Sequence, residues 1–146
     1  MLFRSLHERA GALNVTRFHG SIWELQCWRN CGRVPQRWEN HETPLTAVPP
    51  SCPGCGGLAR PGVVWFGESI PVVALEKAQS ATNCDLFITI GTSSLVYPAA
   101  GLVGHAKFGG AMTVEINLEA TPSSGTVDLA IQGRAEELLL EIDSLI

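Results

Sequence analysis

Two close cysteine pairs constrain this chain more than any other feature. The first is Cys27-Trp28-Arg29-Asn30-Cys31, and the second is Cys52-Pro53-Gly54-Cys55, followed by Gly56-Gly57. The polar, proline-rich stretch Gly32 to Ser51 separates them. Paired cysteines at such spacing read as a tetrahedral zinc site, each pair giving two thiolates from one tight knuckle. Glycines beside the second pair let backbone amides turn toward the sulfurs. The metal would then replace the hydrophobic core that so short an excursion cannot build. Two disulfides, or unrelated buried thiols, are the alternatives. His41 is a substitute ligand by type, but four cysteines suffice, and it reads as a solvated loop residue.

Composition sets the frame for that module. At 146 residues the length suits one domain, and a hydrophobic content of 45% with 16% charged residues suits a packed core rather than a disordered tail. No apolar run approaches the roughly 20 residues that span a bilayer. Met1 to Gly11 is interrupted by Arg4, His7, Glu8 and Arg9, unlike a signal peptide. A reducing, cytoplasmic setting is therefore expected, which favours zinc thiolates over disulfides. Cys84, the fifth cysteine, reads as a plain buried thiol. The net charge is −4 and Lys77 and Lys107 are the only lysines, so neither a nucleic-acid surface nor a membrane partner is expected.

The order of apolar runs gives the fold class. A short helix is expected over Leu6 to Ala12 and a strand over Val15 to Phe18, delivering His19 to its carboxyl end. Gly32 to Ser51 carries Pro35, Pro44, Pro49 and Pro50 and is read as irregular. Arg60 to Phe66 returns extended, and a helix runs from Ser69 to about Ala81. Leu86 to Ile90 is an apolar run broken only by Thr89, and it is read as a strand buried on both faces. A helix from Pro98 to about Lys107, strands at Met112 to Ile116 and Val127 to Ile131, and a helix from Ala135 to Leu145 complete the order. This alternation argues for an α/β protein: a partial Rossmann-like parallel sheet with an inserted small zinc-binding module.

In such sheets ligands bind beyond the carboxyl ends of the strands. The rule selects His19, the Gly91-Thr92-Ser93 turn, Asn117 with Glu119, and Gln132 to Ala135, all expected to converge on one crest. Small residues with free amides and hydroxyls suit phosphate and ribose oxygens, though each is equally an ordinary turn residue. A lone histidine is more often structural. No G-x-G-x-x-G opens a strand–helix unit, so a pyrophosphate has no obvious cradle within these residues.

Leu6-His7-Glu8-Arg9-Ala10-Gly11, Phe18-His19-Gly20-Ser21, the two cysteine pairs, Arg60 to Glu68, Gly91 to Ala100 and Glu115-Ile116-Asn117-Leu118-Glu119 come in an order that resembles the sirtuin family. The wording is most similar to its class III, desuccinylase-like branch, and the likeness covers nearly the whole chain. It implies an NAD-dependent protein-lysine deacylase with structural zinc at Cys27, Cys31, Cys52 and Cys55. It implies that His19 is the general base, assisting attack by a ribose hydroxyl after the acyl oxygen has displaced nicotinamide. An imidazole that titrates near neutrality fits that task. NAD would lie on Gly91, Thr92 and Ser93, on Asn117, Leu118 and Glu119, and near Ala135. Val64, Phe66, Gly67 and Glu68 would line the acyl-lysine tunnel. The substrate peptide would add as a strand between this segment and the loop holding Tyr97. The implied division is a Rossmann-like NAD-binding part over 1–26 and 59–146 and a zinc module over 27–58.

Departures from the family pattern shape the expected activity. A sirtuin's opening strand, glycine-rich phosphate loop and helical small-domain part have no counterpart here. Met1 to Ser5 stand where the family has a Thr-Gln-Asn-Ile-Asp-Gly segment. The asparagine and aspartate that handle nicotinamide, and the tyrosine and arginine that read acidic acyl groups, are unmatched. The chain is thus expected to correspond to the carboxyl-terminal portion of a sirtuin. It is expected to be weak or inactive alone, and prone to self-association through an open sheet edge. A non-enzymatic, zinc-containing peptide- or partner-binding module and a plain zinc-stabilised domain are the competing readings. NAD affinity separates the last from the others, and turnover of an acyl-lysine peptide separates enzyme from binder.

Overall fold

Residues 4–145 are described, from a computed structural model, and the chain falls into two compact units divided between Leu75 and Glu76. The unmatched start at Met1 to Ser5 lies, for residues 1–3, outside the described part.

The first unit opens with helix α1, Arg4–Arg9. The Ala12 amide still reaches the His7 carbonyl at 2.9 Å before Gly11, at φ +88°, ends the turn. The expected strand at Val15 to Phe18 does not form. Arg17 is drawn aside by charge: it grips both carboxylate oxygens of Glu8, at 2.8 and 2.9 Å, and reaches Glu24 at 2.5 Å. The chain turns there, with the Phe18 amide on Thr16 and the Gly20 amide on Arg17. His19 therefore precedes a strand rather than following one. That strand is β1, Gly20–Cys27, and it is the middle of an antiparallel sheet in the order β2-β1-β3. Its partners are β2, Arg37–Glu39, and β3, Ala59–Val63. β2 corrects the reading of Gly32 to Ser51 as wholly irregular: Trp38 stands opposite Leu25. Phe18, Leu25, Cys27, Cys52 and Ala59 are buried here.

Gly20 could not be another residue in this sheet. Its φ is +77°, and a Cβ would stand 2.0 Å from the Gly62 carbonyl oxygen on β3. The close approach joins the start of β1 to β3 directly ahead of the Val64 amide, which donates to the His19 carbonyl at 2.9 Å.

Helix α2, Val72–Ser80, spans the division and leads into the second unit. There β4 (Leu86–Ile90), β5 (Met112–Asn117) and β6 (Leu129–Gln132) form the expected parallel sheet in the order β4-β5-β6. Register is continuous from Leu86 opposite Met112 to Ile90 opposite Ile116. After β4 a single 3₁₀ turn, Ala99–Gly101, runs into α3, Leu102–Phe108, which packs on β4 and β5 through Val103 and Ala106. Helix α4, Ala135–Asp143, follows β6. Central β5 is covered on both faces: Thr113, Glu115 and Ile116 are at most 1% exposed. A side chain such as Ile116 so removed from water contributes about 1.5–3 kcal/mol. β4 is not buried on both faces as expected. It is an edge strand, with Leu86, Ile88 and Ile90 each 41–50% exposed. β6 begins two residues later than expected, because Asp128 is used to bond Thr113.

Candidate functional site

The four cysteines gather in the first unit. Cys27 ends β1 and Cys52 follows Ser51, which bridges to Leu58 across the second knuckle. The Cys52 amide meets the Gly57 carbonyl at 2.6 Å, and the Gly56 amide meets the Cys52 carbonyl at 2.8 Å. These bonds close the Pro53-Gly54 turn. All four sulfurs lie within 4.8 Å of one another, and Cys27 and Cys55 are 3.8 Å apart. A tetrahedron with Zn–S bonds of about 2.3 Å has S···S edges of about 3.8 Å, so the donor set fits zinc. The thiols do not titrate alike. The Cys31 amide, opposing desolvation, draws Cys27 down to about 6. At Cys55 the Gly57 amide pulls down, yet lost hydration and the Cys31, Cys52 and Cys27 sulfurs push the thiol up to about 11. A metal that takes all four as thiolates must release protons. His41 sits elsewhere, against Trp23 with ring centroids 5.7 Å apart and 3.7 Å from Glu39.

Two of the sequence-selected groups meet in the second unit. The turns after β4 and β5 wall a cavity of about 430 Å³ that includes Gly91, Thr92, Ser93, Asn117, Leu118 and Glu119. Small-ligand pockets run roughly 300–1,000 Å³. Asn117 clasps the two turns together. Its side-chain amide donates to the Thr92 carbonyl at 2.6 Å, and its oxygen accepts from the Leu118 amide at 2.9 Å. Asn117 is thus partly a structural clasp, while the exposed Ser93 and Glu119 face solvent. Leu95, Ala120, Thr121 and Pro122 complete the wall and were not singled out by sequence. Ala135 opens α4 after Arg134 and is not among the residues walling this cavity. Tyr97 is 77% exposed just ahead of the 3₁₀ turn.

His19 and the segment Val64 to Glu68 belong to the first unit. His19 is half-buried, its ring edge-on to Phe18 at 5.0 Å, and its carbonyl bonds the Val64 amide. Beyond Val64 the chain makes a turn organised by Glu68, whose oxygens accept from the Trp65 amide at 3.0 Å and from Arg60 at 2.5 Å. The Trp65 amide, then Arg60, hold the Glu68 carboxyl below its usual range. Arg60 also stacks over the Trp65 ring at 4.4 Å. Phe66, 95% exposed, and Gly67, at φ +86°, form the apex. A larger hollow of about 670 Å³ lies behind this turn, between Gln26, Arg37, Arg60 and Glu68. Arg60 and Glu68 pair across it, and its strand ends belong to an antiparallel sheet rather than to the parallel strands whose carboxyl ends suit a nucleotide, so the smaller cavity is the better nucleotide candidate despite its size.

Among the described residues no helix is long and apolar enough to cross a membrane. A family profile described as "Sir2 family" matches residues 4–98. An NAD-dependent protein deacylase of Aquifex aeolicus (strain VF5) is 46% identical over 138 residues, 94% of this chain and 56% of that protein. A crystal structure of a Sir2 homolog–NAD complex aligns with a TM-score of 0.87 and 38% identity, over 94% of this chain and 53% of the other. A structure of Sir2Tm bound to a propionylated peptide aligns at 0.85 and 30% identity, over 99% and 60%. The chain spans little more than half the length of these relatives. With that share of the profile and those identities, the chain belongs to the Sir2, or sirtuin, family.

Proposed function

We propose that this chain carries the ribose-facing strand ends and the zinc module of an NAD-dependent protein-lysine deacylase. The observation that carries the reading is the cavity shared by the turns after β4 and β5, where Gly91 to Ser93 and Asn117 to Glu119 come together. Exposed hydroxyls and backbone amides there suit ribose and phosphate oxygens. Related structures hold NAD and ADP-ribose, which supports the choice of ligand. NAD, when bound, supplies the electrophilic ribose carbon from which nicotinamide departs. His19 would take the proton from a ribose hydroxyl as that oxygen attacks the acyl group. Val64, Phe66, Gly67 and Glu68 would receive the acyl-lysine, with Tyr97 as a further contact and Ala135 toward the adenine. The relative bound to a propionylated peptide supports this substrate class.

The four cysteines would hold zinc in a closed site, where it stabilises the fold and takes no part in the chemistry. A cytoplasmic, reducing compartment suits five free thiols. The implied boundaries of the zinc module, 27–58, follow the knuckles.

Isothermal titration with ADP-ribose, beside an acyl-lysine peptide assay with NAD, tests the reading on the 146-residue chain. Measurable ADP-ribose binding with little turnover is expected, because these residues offer no phosphate loop and unpositioned reactants forfeit up to roughly 7–11 kcal/mol. Absence of ADP-ribose binding by folded chain overturns the reading. Robust turnover that vanishes in His19→Ala would keep it and overturn only the expectation of weak activity.

A further inference from the structure

Glu115 is a charged residue in the interior of the parallel sheet. It is 1% exposed, in the middle of central strand β5, with Thr89 and Ala130 beside it on the neighbouring strands. Among the described residues no ion pair includes it. A carboxylate in such a place is costly unless its oxygens are satisfied. Here two hydroxyls satisfy it: Thr121 donates through Oγ1 to one oxygen and Ser124 through Oγ to the other.

Those hydroxyls are themselves held. The Thr121 amide donates to Ser124 Oγ at 2.8 Å, and the Ser123 amide donates to Thr121 Oγ1 at 3.1 Å. The Ser124 amide returns to the Thr121 carbonyl at 3.1 Å. Each hydroxyl thus accepts from a backbone amide and passes its own proton toward Glu115. The carboxylate is the terminus of both relays and fixes the turn over residues 121–124. Bonds to a charged acceptor are about twice as strong as neutral ones.

The turn is one wall of the 430 Å³ cavity. Leu118 to Pro122 line it, and Glu115 does not. Glu115 lies two residues before Asn117, so the same strand supplies both the clasp across the cavity and the anchor beneath its wall. We propose that Glu115 is a positioning residue of the nucleotide cavity, holding residues 118–124 where Asn117 to Glu119 meet the ribose. This role rests on the nucleotide reading of the cavity given above.

Glu115→Gln preserves volume but keeps an acceptor oxygen, now uncharged, for only one of the two hydroxyls and sets an N–H donor against the other. Ser124→Ala removes one donor from a residue outside the cavity wall. Thr113→Val serves as control: it weakens the opposite end of the same strand, where Thr113 bonds Asp128. ADP-ribose affinity by calorimetry, melting temperature and amide exchange at residues 121–124 are measured for all three. Glu115→Gln is expected to weaken binding about tenfold, the loss of one charge-assisted bond. Ser124→Ala should act in the same direction, with faster exchange confined to the turn. Thr113→Val should lower the melting temperature yet leave affinity and turn exchange unchanged. If Glu115→Gln does not fold, Ser124→Ala against Thr113→Val decides the matter. Unchanged affinity in the foldable variants, or equal loss in Thr113→Val, overturns the positioning role alone. Failure of the unaltered chain to bind ADP-ribose overturns the nucleotide reading and this role with it.

Discussion

At the scale of single residues the cysteines were the plainest part of the chain. Their spacing alone predicted a knuckle pair, and the four sulfurs gather within 4.8 Å of one another. Cys52 is the most instructive to change, being 1% exposed and sharing its turn with the Gly56 and Gly57 backbone. Cys52→Ser should lower zinc content, measured by atomic absorption, and melting temperature together, since metal affinity and folding are one equilibrium in such modules. Unchanged metal content would count against the site. Glu115 stands at the other extreme. In sequence it is a polar interruption of the apolar run Met112 to Ile116. Nothing in that run announces Thr121 and Ser124, which only the folded turn brings to its carboxylate.

At the scale of elements, charge pins the second sheet at the amino end of β5. Asp128 accepts from Lys107 at 2.7 Å and from the Thr113 hydroxyl and amide at 2.7 and 2.8 Å. Lys107 first, then Thr113, hold its carboxyl well below the usual aspartate range. The unfolded chain therefore binds a proton at Asp128 where the folded one does not. The stabilisation is complete above about pH 4 and is lost as pH falls below the ordinary aspartate value. Thermal melts of Asp128→Asn should be less stable than the parent at neutral pH, and the gap should close on acidification toward pH ~2. A gap that is constant with pH would refute the assignment.

The same elements show what a linear reading can see. Leu86 to Ile90 and Met112 to Ile116 were legible as strands because short runs rich in apolar and β-branched residues end at Gly91 and Asn117. The cavity turns followed from those ends. Val15 to Phe18 misled because its apolar residues flank Arg17, whose partners Glu8 and Glu24 lie outside the run. β2 was invisible, since three residues among prolines become a strand only by pairing with β1. Edge exposure of β4 was hidden too, because strand order is not written in any one strand.

At the scale of the whole chain, the outer side of β4 has no strand partner among the described residues, and Leu86, Ile88 and Ile90 stay exposed. Unpaired edges with apolar side chains recruit other chains. Sedimentation of the purified 146-residue chain should show concentration-dependent oligomers, and Ile88→Lys should shift them toward monomer. A monomer at all concentrations would remove the edge from consideration. The aromatic residues are divided unevenly between the two units. Trp23, Trp28, Trp38 and Trp65 all precede the division at Leu75, and the single tyrosine, Tyr97, follows it. Trp28 adjoins Cys27, and its indole meets Trp65 edge to face at 5.6 Å. Indole emission from this protein is therefore a probe native to the unit that holds the four clustered cysteines. An event confined to the cavity of the second unit has no indole of its own to report it, and a flat emission trace during a nucleotide titration is as compatible with a filled cavity as with an empty one.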